Sequence, residues 1–183
     1  METTTFTAFD GHILVISAEP AEALRSIKRY LNGNPGRAVL IFDDGTGSQI
    51  DFDFRGTEED VLARAFPPAP KPGRGRPTLG VVCGEVSLLP RHWDWLKRQG
   101  NNASATLRRL VDDAIRNEPA SARAKRAVEA ADREMWALAG NLPGCEEASR
   151  ALYARDFERF RSLVSAWPRD VANHLSGLAG RAE

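Results

Sequence analysis

Two arginines are separated by one glycine in Arg74-Gly75-Arg76-Pro77. They are permanent cations and sit in the most basic part of the chain. The whole sequence has no net charge, with 25 Lys and Arg against 25 Asp and Glu. Residues 67–116 hold nine basic and four acidic side chains, residues 1–66 hold six and eleven, and residues 117–183 hold ten of each. Such asymmetry points either to an anionic partner for the middle segment or to a middle segment that faces the acidic one, within a molecule or across a dimer. Catalysis has less to rest on. The chain lacks a phosphate-cradling glycine loop with its lysine, a Gly-x-Ser-x-Gly, a His-Glu-x-x-His and a paired-cysteine motif, so no enzyme is expected. His12, His92 and His174 fall in three different segments. His12 reads as a surface residue. His174 reads as a packing residue near an apolar helix face. His92, in the first turn of a helix, suits either a phosphate contact or solvent.

Asp43, Asp44, Asp51 and Asp53 are the only clustered acids that suggest a hard cation. Turn composition explains the first pair and the solvent side of an alternating strand explains the second, so neither metal nor cofactor is expected. Cys83 and Cys145 lie far apart and read as small buried hydrophobes. At 183 residues, 42% hydrophobic and 27% charged, the chain is an ordinary soluble globular protein of one large or two small domains. No apolar run approaches the roughly 20 residues a membrane helix needs. Met1–Thr5 lacks the basic start of a secretory signal, and the expected compartment is the cytoplasm.

The elements that must position these residues divide the chain into an acidic α+β domain (1–66), a Pro/Arg-rich linker (67–78), a strand-helix-helix unit (79–117) and a helical C-terminal domain (118–183). In the first, Thr4–Phe9 and Ile13–Ser17 flank an Asp10-Gly11 hairpin turn. A helix opens at Pro20, with Leu24, Ile27 and Leu31 on one face. Val39–Phe42 is a short apolar strand and Gln49–Phe54 alternates, with Ile50, Phe52 and Phe54 on one side. Thr57, followed by three acids, starts another helix. The order is β-β-α-β-β-α: a four-stranded antiparallel sheet with helices on one face. The linker Phe66–Gly73 is proline-rich and extended. Leu79–Leu89 then reads as a strand, Pro90–Gln99 as a helix, Gly100-Asn101-Asn102 as a turn and Ala103–Arg116 as a helix with an apolar stripe from Leu107 to Ile115. Ala120–Ala139 is an alanine-rich helix. Glu146–Ala166 reads as two helices meeting near Ala154–Asp156, and a last helix follows Trp167-Pro168.

Arg74-Gly75-Arg76-Pro77 resembles the core of an AT-hook, whose glycine lets two arginines lie along a narrow A/T-rich minor groove. A solvated basic linker fits the same four residues. The strand-helix-turn-helix order of residues 79–116 resembles the ribbon-helix-helix fold of small bacterial DNA-binding proteins. That resemblance implies a homodimer whose paired strands enter the major groove and whose second helix start holds a phosphate. It places Ser87 at the bases beside Glu85 and Leu89, with Asn102, Ser104 and Ala105 near the phosphate. It places Val86, Leu88, Trp93, Leu96, Leu107, Leu110 and Val111 in the dimer core. Arg74, Arg76, Arg91, Lys97 and Arg98 are the cations left to carry DNA affinity. Glu85 is an acid and Leu89 is apolar, so two expectations follow: a DNA-binding dimer, hence a transcriptional regulator whose N-terminal domain contacts a protein partner, or a dimeric protein-interaction scaffold.

Phe6-Thr7-Ala8-Phe9-Asp10-Gly11, Phe42-Asp43-Asp44 with Gly47, Glu85–Trp93 and Trp167-Pro168-Arg169-Asp170-Val171 together resemble the bacterial proteins grouped as domain of unknown function 2239. The resemblance spans nearly the whole chain. It implies a shared fold and carries over no activity and no functional residues.

Overall fold

The computed structural model describes residues 5–67, 84–100 and 102–183. Contacts divide the chain into two compact units: residues 1–68 with 120–183, and residues 69–119. The first unit is built on a sheet of β1 (Phe6–Asp10), β2 (Ile13–Ala18), β3 (Leu40–Asp43) and β4 (Ser48–Gln49), in the order β2-β1-β3-β4 with every neighbour antiparallel. The β1–β2 hairpin turns at Gly11 with φ +59°. A bulge between Ala8 and Phe9 shifts its register, so that Ala8 pairs with Ile16 but Phe9 with Leu14.

Strand alternation separates the two faces of this sheet. Phe6, Ala8 and Ile41 form one core with Ala23 and Ile27 of α1 (Pro20–Gly33). Ile50, Phe52 and Phe54 pack against the same core. The alternation read over Gln49–Phe54 therefore holds for burial, although the ladder stops at Gln49. One further bond, from Ile50 N–H to the Ile41 carbonyl at 2.8 Å, carries the chain past it. Burial of alternate side chains needs only an extended chain, whereas a strand needs continuous pairing.

Helix α2 (Glu58–Ala65) begins with a reciprocal cap, in which Asp60 N–H donates to Thr57 Oγ1 at 3.2 Å and Thr57 N–H donates to Asp60 Oδ2 at 2.9 Å. The Thr57 backbone and hydroxyl bonds hold the Asp60 carboxyl below its ordinary 3.8. A carboxyl lowered in the folded state adds stability above its unfolded pKa and loses that contribution as pH falls through the folded value. Asp60→Asn should therefore destabilise the protein at neutral pH, by denaturant melts. The gap to the parent should close below about pH 4; a gap that persists in stronger acid would refute the cap's charge dependence.

The second unit carries α3 (Pro90–Lys97) and α4 (Ala103–Arg116). Proline at the first position of α3 and the Asn102 cap on α4, which accepts from Ala105 N–H at 2.7 Å, fix the two starts. Gly100 turns the chain between them with φ +71°. Residues 84–89 of the predicted ribbon strand form no ladder with any described strand. Residues 79–83 lie outside the described residues.

Four helices complete the first unit: α5 (Ala120–Ala139), α6 (Cys145–Tyr153), α7 (Phe157–Val164) and α8 (Arg169–Gly180). They cover the face of the sheet that α1 leaves open. Phe9 and Phe42 point into one core with Met135, Leu152, Phe160 and Leu175, and Leu40 packs against it. Helix α1 lies on one face as expected, the later helices α5–α8 cover the other, and the N-terminal and C-terminal segments share a core. The reason is in the strands: Phe9, Leu40 and Phe42 are too apolar to face water. Locally, Asp156 caps α7 by accepting from Arg159 N–H at 3.0 Å, at the break expected between residues 154 and 156. Leu14 N–H donates to Asp170 of α8 at 3.0 Å, tying strand to helix. Among the described residues no helix is long and apolar enough to cross a membrane.

Candidate functional site

Most of the residues expected at a nucleic-acid interface fall on the second unit. Arg74 and Arg76 lie outside the described residues. Ser87 is exposed on the segment before α3, and so is Glu85. Arg91, Lys97 and Arg98 are exposed along α3 and its end. Arg91 and Arg98 are seven residues apart and share one helical face. Lys97 stands 4.0 Å from Asp94, a surface pair of little energetic weight. Ser104 is exposed at the start of α4, and its carbonyl accepts from Arg108 at 3.2 Å. The Asn102 side chain spends its oxygen on the α4 cap and so occupies the Ala105 N–H. Fewer amides at that helix end are free for a phosphate than the ribbon-helix-helix resemblance implies.

The apolar residues of this unit are largely uncovered. Leu96 is 3% exposed, but Trp93, Trp95, Leu110 and Val111 are open to solvent and Ile115 is 69% exposed. Between the two helices lies an open recess of about 240 Å³, lined by Leu88, His92, Trp95, Leu96, Leu107 and Leu110. Val86 and Trp93, expected inside a dimer, are exposed on the single chain. A helical pair with so little of its stripe buried is not a self-sufficient core.

The first unit holds a second constellation, between the sheet and the C-terminal helices. The four aspartates considered as a cation site divide here. Asp43 Oδ1 accepts from Gly45 N–H at 2.9 Å in its turn, Asp53 pairs with Arg55 at 2.9 Å on the surface, and Asp51 is exposed. Asp44 alone turns inward and is 3% exposed. Its Oδ2 accepts from the Thr5 hydroxyl at 2.5 Å and the Thr7 hydroxyl at 2.9 Å. Arg181, just past α8, donates to the Asp44 carbonyl at 3.0 Å and lies 3.6 Å from Oδ2. Thr7 shares the inner face of β1 with Phe9, and its hydroxyl is 2.8 Å from that of Ser17.

Opposite Asp44 lie Glu134 of α5, with no exposed surface, and His174 of α8, whose Nε2 is 2.6 Å from Glu134 Oε2. The Phe9 ring meets the His174 ring edge-on at 5.3 Å. Burial pushes the Glu134 carboxyl above its usual range. The His174 hydrogen bond and charge oppose that rise, and the nearby Asp44 carboxylate adds to it. Two oxygens in this polar island, Asp44 Oδ1 and Glu134 Oε1, are buried without a hydrogen-bond partner. One donor atom from each of Asp44, Glu134 and His174 lies within 4.8 Å of the others. This is chemistry for sharing a proton or for holding a cation.

Sequence reasoning assigned His174 to packing and did not single out Glu134. A signal was available. On α8, Val171, His174, Leu175 and Leu178 occupy one helical stripe. On α5, Glu134 sits three residues after Ala131 and four before Leu138, inside an apolar stripe. Two ionisable residues in core positions mark a site or a paired core group.

The fold defines a class: an α+β protein with an antiparallel sheet between two helical layers, and a separate unit with a helical pair. The chain belongs to the family described as uncharacterized proteins conserved in bacteria (DUF2239), whose model matches residues 5–179. No curated protein and no solved structure matches it.

Proposed function

We propose that the protein is a DNA-binding dimer, a regulator of transcription, that associates through the residue 69–119 unit. The observation that carries this reading is the uncovered apolar surface of α3 and α4, beside exposed cations in the most basic part of the chain. Apolar residues that a single copy leaves in water are removed from it by a second copy. Pairing of two segments 84–89 would supply the ladder that one chain lacks. Arg91 and Arg98 then add phosphate contacts, with Ser87 toward the bases, Lys97 nearby and Asn102 and Ser104 at the helix start. Arg74 and Arg76, in the stretch that resembles an AT-hook, are the arginines this reading assigns to a minor groove.

A specific observation favours a second reading, a dimeric scaffold without DNA. Glu85 is exposed on the segment that would meet the bases, and the Asn102 cap takes an amide from the phosphate site. The test is fluorescence anisotropy of A/T-rich and G/C-rich duplexes at low and moderate salt, with molar mass measured by light scattering. Under the DNA reading the chain is a dimer and binds both duplexes, with affinity falling steeply in salt. Arg98→Ala lowers affinity on both duplexes alike and flattens the log–log salt slope by about one. Ile115→Glu yields a monomer that no longer binds. A dimer that binds neither duplex at low salt leaves the scaffold, and a wild-type monomer overturns both readings.

A further inference from the structure

We propose that Asp44, Glu134 and His174 form a binding site for one divalent first-row transition-metal cation. The site is made only by the fold. Asp44 comes from the β3–β4 turn, Glu134 from the middle of α5 and His174 from α8. Ninety residues separate Asp44 from Glu134 and forty separate Glu134 from His174, yet their donor atoms lie within 4.8 Å of one another. Ligands of one ion, with bonds of roughly 2.0–2.2 Å, stand at most about 4.4 Å apart, so a small closing movement brings the three onto one ion, which replaces the His174–Glu134 hydrogen bond.

Two bare oxygens supply the second, independent observation. Asp44 is clamped through Oδ2 by the Thr5 and Thr7 hydroxyls, with Arg181 close by, while Oδ1 has no partner. Glu134 uses Oε2 toward His174, while Oε1 has none. Both side chains are more than nine-tenths buried. A buried carboxylate oxygen without a donor is costly, and a cation bound by this cluster would satisfy the two that Asp44 and Glu134 carry. The surrounding bonds do what outer groups do around metal ligands. The threonines hold one carboxylate in a fixed rotation, and the edge of Phe9 holds the imidazole ring. Asp132, two residues before Glu134 on α5, is engaged elsewhere, bonded to Ser149 and Tyr153.

The donor set selects the class of ion. One imidazole nitrogen and two carboxylates suit Zn²⁺, Mn²⁺, Fe²⁺ or Co²⁺. Ca²⁺ requires six to eight oxygens and Mg²⁺ prefers an all-oxygen octahedron, so neither matches. Two carboxylates and a divalent ion sum to zero when His174 is neutral, and the nearby Arg181 leaves the cluster with one positive charge.

The test uses the full chain, stripped with a chelator and titrated with Zn²⁺, Mn²⁺ and Mg²⁺ by calorimetry, with metal content counted after dialysis. The expected result is one Zn²⁺ or Mn²⁺ per chain, a higher melting temperature and no saturable Mg²⁺ binding. Glu134→Gln should weaken binding by at least about 100-fold, whereas Asp51→Asn, an exposed acid on the same hairpin, should leave it unchanged. Because a variant in the core can fail to fold, the decisive readout is on the natural chain. Substoichiometric Mn²⁺ should broaden the ring resonances of His174 in the NMR spectrum and spare His12 and His92. Broadening of His12 or His92 instead, or no saturable binding of Zn²⁺ or Mn²⁺ to the folded chain, overturns the proposal.

Discussion

Phe9→Ala is expected to cost about 3–5 kcal/mol, the range for truncating a fully buried phenylalanine. Phe9 has no exposed surface and stands where β1 meets the C-terminal helices, in one core with Phe42, Met135, Leu152 and Leu175. Alanine removes most of that contact area and leaves a cavity whose walls belong to elements far apart in the chain. Loss on this scale is a large part of the roughly 5–15 kcal/mol by which domains are stable. Phe66→Ala provides the contrast, because Phe66 is exposed and surface changes stay within about 0.5 kcal/mol. Urea unfolding followed by fluorescence and by circular dichroism measures both. If the two segments share a core, the two signals move together in Phe9→Ala. A loss under about 1 kcal/mol would mean the helices do not cover that face of the sheet.

Gly47→Ala should be nearly as damaging, for a different reason. Gly47 lies in the β3–β4 turn with φ +66°, and a Cβ there would sit 2.2 Å from the carbonyl oxygen of Ala130 in α5 and 2.6 Å from its Cα. Those atoms are helix backbone and cannot rotate aside. A left-handed conformation costs a non-glycine residue about 1–2 kcal/mol, and overpacking a tight contact adds about 1–3 kcal/mol. The expected loss is therefore roughly 2–5 kcal/mol by the same two rules. Gly11 isolates the first contribution: it has φ +59°, but a Cβ there meets nothing within 4 Å. Gly11→Ala should cost only about 1–2 kcal/mol. Equal losses at the two positions would refute the close approach of turn and helix. The contact also bears on the buried site, since Asp44 lies in the same turn and Glu134 is one helical turn beyond Ala130. Arg133 adds a bond to the Thr46 carbonyl at that junction.

How much of this was legible beforehand follows from the range of each signal. Proline at position 20, the Thr57 cap and the Asp10-Gly11 turn act on their immediate neighbours, and each element begins or turns where its residues indicate. Val128, Ala131, Met135 and Leu138 of α5, and Val171, Leu175 and Leu178 of α8, recur at helical spacing and are buried. The exposed cations of α3 were legible because helical spacing and charge put them there. Three further features were not legible. That the open face of the sheet would be covered by helices that begin 71 residues past the end of β4 depends on packing, not on local pattern. That β4 would stop at Gln49 depends on pairing with β3, which alternation does not count. That Asp44 would turn inward while Asp43, Asp51 and Asp53 stayed outside depends on Thr5, Thr7 and Arg181 arriving from other elements. The sequence by itself determined the periodic faces, the turns, the caps and the uneven charge, because propensity and periodicity are local. Only the tertiary structure decided which polar residues meet in the interior, because burial and partnership of an ionisable group are set by whatever distant segment packs over it.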